Sequence, residues 1–403
     1  MKFGNLYAIP SRNGLTKPRS VRGDGIKFVN MGELFENERI GNIEMDRVPV
    51  SKTEMRDALL QEDDLLFARQ SLVREGAGKC SIIAEVEEPT TFDSHLIRVR
   101  LNRSIANPSF YRYYFASPLS PMPGIVSQCA QAGIKGSDLK NLDVDCPPLE
   151  VQDKIASILG TYDELIENNR RQIKLLEEAA RRLYREWFID LKFPGHETTP
   201  IVDGLPEGWG RGTLLDLADT VRGCSYSSDE IMRGEKTLIN LGNLTPFGGF
   251  RSGYEKPFSG KSREDQIVAK GDVVMGLTEQ AIGLAGYAAL LPTVPDGSVI
   301  SADLVKIVPK EGVPAEFVYA ILRYGRLSEL ISPLANGTKI KHLRPQSLSR
   351  VTTQIPPIEL MQRYAVMVRP VYEQIDVCYQ QIAVAREARD RLLPKLMSGE
   401  IEV

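Results

Sequence analysis

Residues 146–187 read CPPLEVQDKIASILGTYDELIENNRRQIKLLEEAARRLYREW. Apolar or small residues recur at Ile155, Leu159, Tyr162, Ile166, Ile173, Leu176, Ala180, Leu183 and Trp187, with Asn169 at the polar position between them. Steps of four and three place them on one narrow stripe of a helix, made to lie along a second long helix. Pro147-Pro148 suits the start of that helix, where the missing N–H is an orphan in any case. The second helix is in the same chain. A shift of 209 residues carries Pro147 onto Pro356 and the stripe onto Tyr364, Val368, Val371, Ile375, Cys378, Ile382, Ala385, Arg389, Leu392 and Leu396. A helical hairpin explains either heptad alone. It does not explain a common register behind the same proline pair, so the chain reads as a duplication.

At 403 residues, 42% hydrophobic and 26% charged, the chain is long enough for two or three domains with cores of their own. The opening residues lack a signal peptide's apolar core, and the longest apolar run, 284–291, is too short to span a membrane. Cys80, Cys129, Cys146, Cys224 and Cys378 form no CxxC and read as buried thiols of a reducing, cytoplasmic compartment. Three scattered histidines argue against a structural metal. A net charge of −3 does not advertise nucleic-acid binding, although a local basic face can still serve.

Residues 1–145 form a first globular segment, with strands at 63–69, 80–86 and 96–101, the last alternating as a half-buried strand. Residues 108–115 are aromatic and helix-like, and 132–139 are a glycine-bearing loop. After the first helix, 146–192, the breaks around Pro194 and Pro206 mark 193–209 as a linker. Residues 210–354 repeat the first plan: 238–244 match 28–34, 271–275 match 63–67, 301–307 match 94–99 and 337–343 match the loop at Gly133. The second helix and tail occupy 355–403. The fold expected is a mixed α/β multidomain protein, two similar α/β domains separated by two long helices. The second domain joins the end of one helix to the start of the other, so the helices should run antiparallel, giving a pseudo-twofold dumbbell. Each stripe spans roughly 50 Å at 1.5 Å per residue. Gly160 and Pro370 invite a bend.

No catalytic centre is evident. Gly76-Ala-Gly-Lys79 lacks the earlier glycine and the Ser/Thr of a phosphate loop and reads as a turn. Asp138-Leu-Lys140 and Asp190-Leu-Lys192 resemble half of a nuclease site but read as solvated surface. Two unlike domains on a stiff spacer instead suit reading two half-sites on double-stranded DNA, which needs polar side chains at base edges and cations on phosphates. The loops offer Arg12, Lys17, Arg19, Arg69, Gln70, Ser71 and Lys135 in the first domain. In the second they offer Arg222, Tyr226, Thr278, Glu279, Gln280, Lys339, Lys341, His342 and Arg344. Taken singly each is more often a solvated charge. Recurrence at matching loops raises them, Lys135 with Lys341 and Arg12 with Arg222 being the best matched.

These residues resemble a family. Pro147 to Glu150 and Pro356 to Glu359 with their heptads, Gly204-Leu-Pro-Glu-Gly-Trp209, and the ending Leu393-Pro-Lys-Leu-Met-Ser-Gly-Glu-Ile401 are similar to the specificity subunit of type I restriction–modification systems. The resemblance runs end to end. There are departures: Gln152 faces Met361 with Gln362 one place late, and the first domain lacks the Gly-Leu-Pro-Glu-Gly-Trp opening. Arg389 puts a charge where the first stripe has Ala180, leaving open how dry that end of the pair is. The resemblance implies a non-catalytic chain whose two target recognition domains each read half of a split site. Its helices would carry two DNA methyltransferase subunits and, through them, restriction subunits. S-adenosylmethionine, ATP and Mg would be bound on those other subunits. Arg170, Arg171, Lys174, Glu177, Glu178, Arg181 and Arg182, on the outer helix face, are candidates for docking partners. Two other readings stand against this: a duplicated coiled-coil scaffold that never binds DNA, and a self-contained nuclease or methyltransferase.

Overall fold

A computed structural model describes residues 1–128, 132–337 and 340–403. The chain divides into two compact units, Met1–Leu165 with Val384–Val403, and Ile166–Ala383. The division passes through both long helices, so each unit owns part of each.

In the first unit the strands are β1 (Tyr7–Asn13), β2 (Ile26–Val29), β3 (Arg39–Ile40), β4 (Asp46–Val48), β5 (Leu65–Ala68), β6 (Gln70–Ser71), β7 (Cys80–Ile83), β8 (Thr90–Phe92), β9 (Leu96–Leu101), β10 (Ser127–Gln128) and β11 (Ala132–Gly133). Short helices are α1 (Met31–Glu36), α2 (Lys52–Ala58), α3 (Pro108–Ala116) and α4 (Gly136–Lys140). The main sheet has the order β1-β9-β5-β7-β3, beside β4-β2-β8 and β10-β11-β6. Ile97, Val99 and Leu101 face a core of Phe3, Phe67 and the aromatic α3. Leu66, Ala68 and Leu96 face Val29, Leu34 and Phe92. Both sides of the sheet are therefore covered, which corrects the half-buried reading of 96–101: every residue of β9 except Arg100 is buried. Local chemistry agrees with the elements. Ser51 and Glu54 form a reciprocal capping box on α2, and Asn107 caps α3 ahead of Pro108.

The second unit contains β12 (Ile201–Val202), β13 (Leu205–Pro206), β14 (Gly210–Thr213), β15 (Ala218–Arg222), β16 (Ile231–Ile239), β17 (Lys256–Phe258), β18 (Val273–Gly276), β19 (Thr278–Glu279), β20 (Ala288–Leu290), β21 (Val299–Ile300), β22 (Leu304–Pro309), β23 (Lys341–His342) and β24 (Thr352–Ile355). It has the short helices α6 (Leu214–Leu217), α7 (Ala315–Arg323) and α8 (Leu327–Ile331). Its sheets β15-β22-β18-β20, β17-β16-β21 and β19-β23 repeat β1-β9-β5-β7, β4-β2-β8 and β11-β6. Hydrogen bonds repeat as well. Leu15 N to Phe92 O is matched by Cys224 N to Ile300 O, and Asp93 N to Val29 O by Ser301 N to Ile239 O. Gly14 and Gly223 occupy one such position in both units; a Cβ there would lie 2.1 Å from the carbonyl oxygen of Phe92 or Ser301.

The stretch expected as a linker is folded. Asp203 and Gly204, both with positive φ, turn β12 into β13, and Trp209 packs 5.5 Å from Phe193, ring to ring.

The long helices are α5 (Leu149–Tyr184), closed by a wider turn at Arg185–Ile189, and α9 (Ile358–Ser398). Neither Gly160 nor Pro370 interrupts them. In the first unit Ile155 and Leu159 share a core with Leu393 and Leu396, while Asp163 meets Arg389. In the second, Gln172 meets Cys378 and Tyr184 packs on Tyr364. Partner numbers fall as helix numbers rise, so the helices run antiparallel within each unit. Gln152 fixes the proline-pair start: its side chain donates to Pro147 O and Ile105 O and accepts from Asn107 N. Gln362, one place late, instead reaches Gly312 O at 3.3 Å. The open question at Arg389 is answered by ion pairs to Asp163 and Glu38, both at 2.6 Å, within a nest that Arg112 and the Tyr113 hydroxyl complete. Cys80, Cys224 and Cys378 are buried free thiols and Cys146 is half-buried; Cys129 lies outside the described residues. Among the described residues no helix is long and apolar enough to cross a membrane.

Candidate nucleic-acid interface

Strand β5 runs straight into β6, whose Gln70 and Ser71 pair with Gly133 and Ala132. Strand β18 likewise runs into β19, whose Thr278 and Glu279 pair with His342 and Lys341. The next bond also repeats: Ile134 N donates to Arg69 O, and Leu343 N to Leu277 O. This ladder makes Gly133 the equivalent of His342 and Lys135 the equivalent of Arg344. The sequence match of Lys135 with Lys341 is therefore displaced by three residues. Lys135 and Arg344 are both exposed, and each stands just before a short helix, α4 or Pro345–Arg350. Arg12 with Arg222 shifts too. Asn13 lies opposite Ile97 and Arg222 opposite Val305, so Arg222 answers to Asn13, and Arg12 answers to Val221.

The candidates now separate by occupation. Thr278 is 2% exposed, with its hydroxyl 2.7 Å from Asp303 Oδ1 and 3.2 Å from His342 Nδ1. Glu279 accepts from the N–H groups of Gly283 and Ala285. The hydrogen bonds of these two hold the loop from inside. Lys17 is tied to Glu54 at 3.0 Å, Tyr226 packs against Phe258, and Arg69 leans on Ser94 O at 3.4 Å. Gln70 and Ser71 are half-buried in β6. Arg19, Lys135, Gln280, Lys341, His342 and Arg344 are exposed, as is Arg222, whose Nε donates to Ala302 O. Arg12 is half-buried on β1. Lys339 lies outside the described residues.

The candidates on the helix face separate in the same way. Arg170 pairs with Glu167, while Arg181 and Arg182 both pair with Glu178. Glu177 faces Arg323 at 3.5 Å; burial raises its pKa, and Arg323 only partly opposes that. Arg171 and Lys174 are exposed. Sequence reasoning passed over a second heptad that the structure leaves in solvent. Leu175, Met367 and Val377 of the second unit and Ile158 and Val384 of the first are exposed apolar residues. The 209-residue shift carries Ile158 onto Met367 and Leu175 onto Val384, and that recurrence was available in the sequence. Among the described residues no group of three His, Cys, Asp or Glu side chains is placed to hold a metal.

The fold and its loops define a class, a duplicated α/β protein with paired helices, and known proteins resemble it over its length. Residues 23–178 match the "Type I restriction modification DNA specificity domain". The chain is 27% identical to the type I restriction enzyme MjaIX specificity subunit of Methanocaldococcus jannaschii, over 96% of this chain and 89% of that one. It is 20% identical to the HindI specificity subunit of Haemophilus influenzae, over 93% and 94%. The crystal structure of the S subunit of a type I restriction–modification system from M. genitalium shares the fold, with a TM-score of 0.55 at 14% identity, covering 98% of this chain and 95% of that one. The first domain thus matches the specificity-domain family of type I restriction–modification systems, and the chain along its length is similar to their specificity subunits.

Proposed function

We propose that this chain reads a bipartite site on double-stranded DNA, one half-site per unit, and has no catalytic activity of its own. The observation that carries this is the repeated loop pair, β6 with β11 and β19 with β23, at one place in two units but with different exposed side chains. Equal scaffolds with unequal side chains suit reading two different words, since base edges are told apart by donor and acceptor placement. Lys135 serves the first unit; Gln280, Lys341, His342 and Arg344 serve the second. Arg19, Arg222 and Arg12 contact backbone phosphates. The exposed apolar heptad of the helices, with Arg171 and Lys174, docks two methyltransferase subunits, which recruit the restriction subunits. S-adenosylmethionine, ATP and Mg act on those chains. Methylation-aware sequencing of the host genome tests the proposal. A bipartite adenine-modified motif should vanish when this gene is deleted. An unchanged methylome, together with no binding of duplex by the chain and its methyltransferase at low salt, leaves the scaffold reading instead.

A further inference from the structure

One arginine of the first unit is buried beside a carboxylate that another arginine already holds. Arg98 lies opposite Leu66 on one side and Arg12 on the other, within the main sheet, and is 4% exposed. Its Nε has no hydrogen-bond partner among the described residues. The carboxylate that acts on it, Asp64, is already held at both oxygens by Arg100 at 2.7 Å. Burial lowers the Arg98 pKa, Asp64 opposes this, and Arg100 and Arg12 push it down further. A buried cation crowded by two others is costly unless an anion meets it.

The space in front of these side chains is a cleft of about 640 Å³, lined by Arg12, Arg56, Arg98 and Arg100 among others. Asp57, the acid on its rim, is engaged by Arg56 at 2.7 Å. Guanidinium forks converging on an open cleft match the geometry of phosphate oxygens. The described residues of the second unit do not repeat this set of arginines at the equivalent positions. Val221, Lys306 and Val308 stand where Arg12, Arg98 and Arg100 stand, and Lys306 is paired with Asp272 at 2.8 Å.

We propose that the Arg12–Arg98–Arg100 cleft is a phosphate site, and that in the working protein it holds a backbone phosphate of the DNA. The second half of this rests on the DNA-reading function above. Arg98 grips the phosphate from below while Arg12 closes over it from the edge strand. The site is specific to the first unit, so the two units carry unequal shares of the backbone contact.

The test uses the full chain as wild type, Arg12→Gln and Arg98→Met, with thermal melts to show that each variant folds. Binding to cognate and random duplex is measured from low to moderate salt. Each variant should bind about tenfold more weakly on both duplexes, with the salt slope reduced by about one. Unchanged affinity and slope in Arg12→Gln overturn the proposal, and so does a loss confined to the cognate duplex, which marks base reading. Inorganic phosphate is titrated in parallel and should raise the melting temperature of wild type but not of Arg98→Met. If it does so while duplex binding by both variants is unchanged, the cleft takes a free anion and the DNA assignment falls. Should wild type bind no duplex at all, it is the DNA-reading function that fails. The phosphate titration then decides the cleft alone, and no shift overturns it.

Discussion

Asp163 joins the α/β part of the first unit to its helices. Its side chain is 4% exposed and meets Arg112, Arg389 and the Tyr113 hydroxyl. Burial alone would raise its pKa, but Arg112, Tyr113 and Arg389 outweigh burial and hold it low. Glu38 behaves alike: burial raises it, and Arg389 and Arg112 bring it below the usual range. Carboxyls depressed in the folded state stabilise it above the ordinary carboxylate pKa, and that contribution is lost as pH falls through the range near ~4 and below. Asp163→Asn should therefore cost about 3–5 kcal/mol near neutral pH, because it leaves the buried Arg112 with Glu38, which it shares with Arg389, and Arg389 otherwise with only the exposed Asp390. Urea unfolding measures this, and its acid dependence should be shallower than in wild type. A cost under about 1 kcal/mol, or an unaltered acid limb, contradicts the account. Arg389 was legible in the sequence as a charge in an apolar stripe. Its partners were not, since Glu38 and Asp163 lie hundreds of residues away and only the fold brings them near.

At the scale of the element, sequence similarity and hydrogen bonding gave different registers. The letters Ile-Lys, shared by 134–135 and 340–341, go with the match of Lys135 to Lys341, whereas the ladder of β6 with β11 and β19 with β23 draws it onto Arg344. Proximity of like letters carries no information about which N–H meets which carbonyl, so loops are where pattern reading slips while the heptads, read over many turns, hold. The same ladder divides builders from readers. Thr278→Val removes the donor to Asp303 and should cost about 1–3 kcal/mol in stability. Gln280→Ala, on the exposed neighbour, should stay within about 0.5 kcal/mol. Equal costs in paired urea melts would refute that division. The helices supply another prediction. Leu175 is 71% exposed, and its repeat partner Val384 is 66% exposed. Leu175→Asp should leave the chain's own stability within about 0.5 kcal/mol but reduce co-purification with the methyltransferase. Undiminished assembly would remove the apolar heptad from the docking surface and return the role to Arg171 and Lys174.

For the whole molecule, the duplication was visible at once because a shift of 209 residues moves one heptad onto the other. The division of labour was not visible, because each α/β segment owes its shape to pairings such as β1 with β9 and β15 with β22, which no local pattern announces. Two units with separate cores, one around Phe67 and α3 and one around Met275 and α7, should read separately. Substitutions at sites that share no partners act additively. Arg344→Ala should thus relax one word of the methylated motif and leave the other intact, while Lys135→Ala does the reverse. A lost base contact of this kind is worth about 1–3 kcal/mol, so each variant should admit wrong bases at its own word roughly ten- to a hundredfold more often. The double variant should show both relaxations, with free energies that sum. Methylation-aware sequencing of cells carrying each variant reads all three outcomes in one experiment. If Arg344→Ala alters both words, or if the double variant departs from the sum by more than about 0.5 kcal/mol, the units do not read independently and the repeated loops cannot be two separate readers.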